Sequence, residues 1–244
     1  MTSFFHTVLY TPIYNLLIFL TDILPGGDIG LAVIAATVIV KLIIMPLSLS
    51  ALRTQKVIKL IDPKVKELKV KYKDNKEKLA IETFALYKEY GINPFAGLLT
   101  LFIQLPILLT LFWVFQSKTL LTVDTNMLYS FVPVPEMISP NFLGLFAIGS
   151  ASITLALIAA VLQFVQGYYS FPIPAKSTAT GKDSLQADFG RSMALQMRFL
   201  LPIFVGIGAY VTSNAIALYL ITSSIVGIAQ EFYVRRKNDS PATK

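Results

Sequence analysis

Residues 29 to 50 read Ile29-Gly-Leu-Ala-Val-Ile-Ala-Ala-Thr37-Val-Ile-Val-Lys41-Leu-Ile-Ile-Met-Pro46-Leu-Ser48-Leu-Ser50, a membrane-length apolar run with one lysine inside it. At the rise of an α-helix, Lys41 lies about 18 Å along a hydrocarbon core about 30 Å thick, past the midplane and short of the far interface. A lysine near a helix centre costs about 2.5–3.5 kcal/mol on insertion scales, and such residues usually face the protein interior or water. The competing reading is snorkelling, in which the long stem lifts the ammonium to the nearer headgroups.

The rest of the composition agrees with a membrane setting. The chain has 244 residues, of which 55% are hydrophobic and 14% charged, and its mean hydropathy is +0.65. That is too apolar for a soluble domain and long enough for about five spans. There is no cysteine and one histidine, His6, which leaves no thiolate metal site, disulfide framework or cysteine nucleophile. Residues 1–28 contain no Lys or Arg, so neither a cleavable signal nor an Arg-rich transit peptide is expected, which favours a bacterial plasma membrane.

Outward from residues 29–50, residues 4–24 carry Leu9, Ile13, Leu16, Leu17 and Leu20 at helical spacing among His6, Tyr10, Tyr14, Asn15 and Asp22. This predicts an outer interfacial helix over the 1–28 segment, a sixth span being the alternative. Pro25-Gly26-Gly27-Asp28 ends it. On the other side, residues 51–90 hold eleven Lys or Arg and six Asp or Glu. Ile58, Ile61, Val65, Leu68 and Tyr72 form a narrow apolar seam, and Leu79, Thr83, Leu86 and Tyr90 a second. Lys73-Asp74-Asn75 is a turn and Gly91 a helix end, so 51–92 is expected to be a solvated antiparallel helical hairpin with a kink or restart at Asp62-Pro63. Its lysines suit a face near anionic headgroups or a partner-docking surface. Asn93-Pro94 opens a second span over 93–116, which ends in Trp113 and Phe115. A Pro-broken outer loop over 117–141 follows, then a third span over 142–168 and a polar loop over 169–194. The fourth and fifth spans, in 195–233, are separated only by Thr212, Ser213 and Asn214, and a basic tail, 234–244, closes the chain.

Basic residues set the orientation. Eighteen lie in the 51–92 segment, the 169–194 loop and the tail, with Arg198 at a span mouth, against one, Lys118, in the N-terminal segment and the 117–141 loop. Five spans then put the N-terminus outside and the C-terminus in the cytoplasm. With depth assigned, Thr37 and Lys41 share a face of the first span, Thr100 and Gln104 of the second, Gln163 and Gln166 of the third, and Tyr219, Ser223 and Gln230 of the fifth. Each polar stripe lies in the inner half, whereas a channel needs lining throughout. One reading is a water-filled vestibule open to the cytoplasm, which also keeps Lys41 hydrated; the other is interhelical glue, worth about 0.6 kcal/mol per polar contact.

Together, Thr37-Val-Ile-Val-Lys41-Leu-Ile-Ile-Met-Pro46-Leu, Leu86-Tyr87-Lys88-Glu89-Tyr90-Gly91-Ile92-Asn93-Pro94, Gln104-Leu-Pro106-Ile and Leu218-Tyr219-Leu220-Ile221 with Gln230 resemble the YidC family of membrane protein insertases over essentially the whole chain. The resemblance implies an all-α polytopic fold with five spans, an outer interfacial helix, a cytoplasmic hairpin and a positively charged groove closed outward. It implies nascent membrane protein clients and the lipid bilayer as partners, and the Sec translocon, a ribosome or a targeting factor as candidates at the hairpin. In the family the groove charge is usually an arginine. Lys41 keeps the charge but not the planar fork. Thr37 and Tyr219 resemble the pair that supports the groove, and Leu220 stands where a second aromatic is common.

The residues also weigh against other classes. No Gly-rich phosphate loop is present, so no nucleotide cofactor is expected, and no direct nucleic-acid recognition is implied. A small transporter or channel is the main alternative, but no Asp or Glu lies inside a confident span core, Glu231 being at an edge, and no matched pair of broken helices stands out. An intramembrane protease lacks its embedded His or paired Asp. A non-inserting assembly chaperone is the third alternative.

Overall fold

A computed structural model of the chain describes residues 5–73, 75–91, 106–114, 123–170, 191–192 and 194–239. It is predominantly helical and divides into two units, Met1–Leu42 with Ile107–Phe232, and Ile43–Pro106 with Tyr233–Lys244.

In the first unit a π turn, His6–Tyr10, leads into α1, Thr11–Ile23, with Pro12 in its first turn, where a missing N–H costs nothing. Ile13, Tyr14, Leu17, Ile18 and Leu20 are buried, so the apolar face seen in the sequence packs inward. Pro25–Gly27 then forms a tight turn, with Gly26 at φ +70° and Gly27 at φ +61°, a backbone region that glycine enters without steric cost. Asp28 caps α2, Ile29–Ile43, by accepting the Leu31 N–H at 3.0 Å. Ala32, Val33, Ala36 and Thr37 make its buried stripe.

The next helix of this unit, α5 (106–114), brings Trp113 edge-on to Phe5 at 5.2 Å between ring centroids. Two short strands follow, β1 (Asn141–Phe142) and β2 (Phe146–Ala147), paired antiparallel with Asn141 opposite Ala147. The third span, expected from residue 142, therefore begins eleven residues later, as α6, Ile153–Ser170. Leu143 (φ 52°) and Gly144 (φ 71°) reverse the chain, and Phe142 lies over Gly30, where an added Cβ would come within 2.6 Å of it. The apolar residues at 142–148 thus belong to a loop.

A second π turn, Gln196–Leu200, opens α7, Leu201–Val211. Gly206 faces Ala160 so closely that a Cβ would sit 3.0 Å from it, which lets α6 and α7 pack closely along each other. The chain breaks at Thr212 and Ser213, and α8 runs Asn214–Asp239.

Ile153–Ser170 and Asn214–Arg236 are each long and apolar enough to cross a membrane. Ile29–Ile43 with Met45–Ile58 adds a third if the break between them lies within one crossing, whereas Gln196–Val211 is apolar but shorter. The described residues thus make an all-α membrane protein apart from the strand pair. Most of the expected second span, including Asn93, Pro94, Thr100 and Gln104, lies outside them, as do residues 171–190.

The second unit contains α3, Met45–Lys71, and α4, Lys76–Glu89. The helical run over 29–50 breaks at Ile44, because Pro46 has no N–H to continue the ladder and its ring would meet the carbonyl four residues back. The kink or restart expected at Asp62-Pro63 does not end the helix, which runs on to Lys71 with Pro63 inside it, on an exposed stretch. Asn75 caps α4 by accepting the Lys78 N–H at 2.9 Å, and Gly91, at φ +61°, follows its end. The two helices touch, Ile61 is buried on the seam, and Lys64 Nζ donates to the Tyr90 hydroxyl. That hydroxyl holds the Lys64 ammonium above the ordinary lysine range, so the contact is complete at neutral pH and is lost only above pH 10.5.

Candidate functional site

The polar residues on the first unit's helices divide into two groups. Thr37 is buried and donates to the Val33 carbonyl at 2.7 Å, a local bond that satisfies the hydroxyl inside an apolar helix. Lys41 is one turn further along the same helix and partly exposed. It stands between buried Thr37 and the exposed pair Leu42 and Ile43, where the buried stripe of α2 ends.

The second group joins α6 to α8. Ser224 Oγ and Gln163 Oε1 are 3.2 Å apart, with serine donating. One turn along α8, Gly227 meets the Gln166 amide, whose nitrogen would lie 2.4 Å from an added Cβ. Tyr219 is 2% exposed and shares a side-chain hydrogen bond with Ser223, while Thr222 donates to the Leu218 carbonyl at 2.8 Å. Gln230 is buried, and its Nε2 has no hydrogen-bond partner among the described residues. Gln163 and Gln166 thus meet the polar face of α8, and at least the Gln163 carboxamide is engaged between helices. Thr100 and Gln104 lie outside the described residues.

Sequence reasoning missed a third group, at the end of the unit where the loops gather. Asn15, 2% exposed, donates to the Thr11 and Met127 carbonyls, each at 2.8 Å, and accepts the Tyr129 N–H at 2.7 Å. The Tyr14 hydroxyl accepts the Asp124 N–H at 2.9 Å; burial is the main cause holding this phenol above its ordinary range. Asp28 accepts the Leu143 N–H at 2.7 Å with its second oxygen, and Ser139 N–H donates to the Gly27 carbonyl at 2.8 Å. Asn214 donates to the Ala147 carbonyl at 2.8 Å, and its own N–H donates to Ser150 O at 2.7 Å. Three helix ends are thereby tied to residues 124–150. Pro-Gly-Gly-Asp was a readable capping signal, but the partners are more than a hundred residues away for Asn15 and Asp28.

Beside this knot an apolar cavity of about 370 Å³ is walled by Leu108, Leu109 and Phe112 of α5, Phe204, Val205 and Gly208 of α7, and Ile216 and Leu220 of α8, with Thr212 at the turn. Among the described residues no group of three or more His, Cys, Asp or Glu could hold a metal ion.

The chain is similar to proteins named membrane protein insertase YidC from Fusobacterium nucleatum (26% identical, over 86% of this chain and 88% of that one) and Clostridium tetani (29%, over 87% and 84%). It is likewise similar to membrane protein insertase MisCB from Bacillus subtilis (29%, over 91% and 77%). Against an insertase YidC from Janthinobacterium it matches at 27% over 95% of its own length but spans only 38% of that longer protein. The family model described as 60Kd inner membrane protein matches residues 19–241, from within α1 past the end of α8. Since that match takes in every helix whose polar faces were followed above, the chain belongs to the 60Kd inner membrane protein family.

Proposed function

We propose that the chain is a membrane protein insertase that carries short polar tails of nascent clients across a bacterial plasma membrane. The observation that carries this reading is Lys41, a cation one turn beyond buried Thr37 in an otherwise apolar helix, in a chain whose relatives are named insertases. The costly step of insertion is taking a polar tail through about 30 Å of hydrocarbon. A hydrated groove reaching mid-depth from the cytoplasm shortens that path. Lys41, Thr37, Thr100, Gln104, Gln163, Gln166, Tyr219, Ser223 and Gln230 line it, and Lys41 draws acidic tail residues inward. The knot at residues 124–150 supports closure on the outer side. The apolar cavity between α5, α7 and α8 supports sideways release of the client's apolar segment, whose transfer into lipid, about 0.8 kcal/mol per buried CH₂, drives the process without a cofactor.

The full arrangement in this reading is five spans, an outer helix at 4–24, and a cytoplasmic α3–α4 hairpin free to meet the Sec translocon, a ribosome or a targeting factor. The test is insertion of a single-span, acidic-tailed client into proteoliposomes holding the unaltered chain, Lys41→Ala, Lys41→Glu or no protein. The unaltered chain inserts the client, Lys41→Ala loses part of that activity, and Lys41→Glu harms acidic-tailed clients more than neutral ones. Equal losses for both clients remove the electrostatic role, and activity no better than empty liposomes removes the insertase reading.

A further inference from the structure

Arg198 occupies the third position of the π turn Gln196–Leu200, where the apolar run of α7 begins. The wide turn inserts an extra residue into the helical path, a feature that often marks a functional position. The guanidinium lies 3.7 Å from the centre of the Tyr168 ring and 5.8 Å from that of Phe199. Gly167, beside Tyr168, lies against the Arg198 backbone, 3.6 Å from where its Cβ would be, an ordinary packing distance. Around the pair stand Phe164 against Phe199 at 5.6 Å and Tyr169 against Phe232 at 5.0 Å. Tyr168 is 51% exposed and Phe199 48%. An exposed tyrosine at the end of the membrane-length helix α6, with exposed phenylalanines beside it, fits the headgroup level, where tyrosine is enriched.

Arginine on an aromatic face usually faces a carboxylate as well, but among the described residues no acidic group pairs with Arg198, and its buried Nε–H has no acceptor. The Tyr168 ring covers the guanidinium at 3.7 Å, Nε–H is buried, and the residue as a whole is half-buried, which leaves the terminal N–H donors for a ligand. That fork fits two oxygens of a phosphate. Exposed rings beside the fork suit a ligand whose phosphate carries acyl chains rather than a soluble anion, and an arginine at this depth attracts anionic lipid. We propose that Arg198, laid on the Tyr168 ring where α6 ends and α7 begins, binds the phosphate of an anionic phospholipid in the adjacent leaflet.

The experiment reconstitutes the full chain carrying Trp113→Phe and Phe199→Trp, so that its one tryptophan reports from beside Arg198. Phosphatidylglycerol or phosphatidylcholine with brominated chains is titrated in as a quencher. Phosphatidylglycerol quenches at a mole fraction about fivefold lower, the factor for one basic residue at an anionic surface. With Arg198→Gln the two lipids become equivalent, and Arg198→Lys keeps less than half of the preference. Equal quenching in the chain that retains Arg198 overturns the proposal whether or not the variants fold. A preference that survives Arg198→Gln overturns it in favour of other basic residues, and full retention by Arg198→Lys overturns the role of the stacked fork. Loss of the preference on adding inorganic phosphate, at ionic strength matched with chloride, overturns lipid as the ligand.

Discussion

At Gly26 and Gly27 two neighbouring glycines share a left-handed backbone but not a neighbourhood. An added Cβ at Gly26 meets nothing within 4 Å, whereas at Gly27 it would lie 2.0 Å from the Met137 carbonyl oxygen, which is backbone and cannot rotate away. Gly26→Ala should therefore cost only the left-handed penalty, about 1–2 kcal/mol. Gly27→Ala should cost about 3 kcal/mol or more, or prevent folding; thermal unfolding in detergent compares the two. Gln163→Leu addresses the polar face instead. Loss of the Ser224 contact should lower stability by about 0.6 kcal/mol, the usual size of such a contact between membrane helices. If Gln163 also borders the client path, insertion of polar-tailed clients falls well beyond what that small loss accounts for; insertion unchanged at equal protein level leaves it an interhelical contact. The sequence showed which polar residues sit on apolar helices, because helical spacing reveals faces. It did not show that Gln163 and Gln166 are matched to Ser224 and Gly227, because small-residue contacts depend on which helices become neighbours.

Helix ends were more legible than loops. Pro25-Gly26-Gly27-Asp28, Asn75, Gly91 and the Thr212–Asn214 break all mark observed termini or turns, since capping needs only a few adjacent residues. Residues 142–152 were read as the start of a span because Phe142, Leu143, Leu145, Phe146 and Ile148 outweigh Gly144, Gly149 and Ser150 in an apolar count. Leu143 and Leu145 are exposed, and the partial cover of Phe142 comes from Gly30, far back along the chain, of which periodicity carries no record. The strand pair meets α2 through Phe142, packed over Gly30, and through Asp28, which serves a helix N–H with one oxygen and the Leu143 N–H with the other. Asp28→Ala leaves both donors unserved and should cost about 2–4 kcal/mol, a lost cap together with an unpaired amide. Asp28→Asn keeps one acceptor oxygen and should cost less. Limited proteolysis between residues 139 and 150 should speed up in the same order, Ala before Asn before the unaltered chain.

For the molecule as a whole, the absence of cysteine makes the orientation simple to test. With single cysteines introduced as Asn126→Cys, Lys73→Cys and Arg236→Cys, a membrane-impermeant maleimide should label the first in intact cells and the other two only after permeabilisation. The opposite pattern would reverse the orientation that the basic residues predict. Charge asymmetry makes this layout a prediction that needs no coordinates. The division of labour between the two ends of the first unit was not readable, because it rests on which bonds close over long loops. Near residues 124–150, Asn15, Asp28 and Asn214 fasten helix ends with directional hydrogen bonds. Further along, α6 meets α8 through the Ser224–Gln163 bond, the contact of Gly227 with Gln166 and the ring pair of Tyr169 and Phe232. Any helix that tilted about this fastened end would have that end as its pivot and its own length as a lever arm. The 18 residues of α6 make an arm of about 27 Å, so a tilt of about 5° moves its far tip by about 2 Å, close to half of one turn's rise, while the sealed end keeps every one of its bonds.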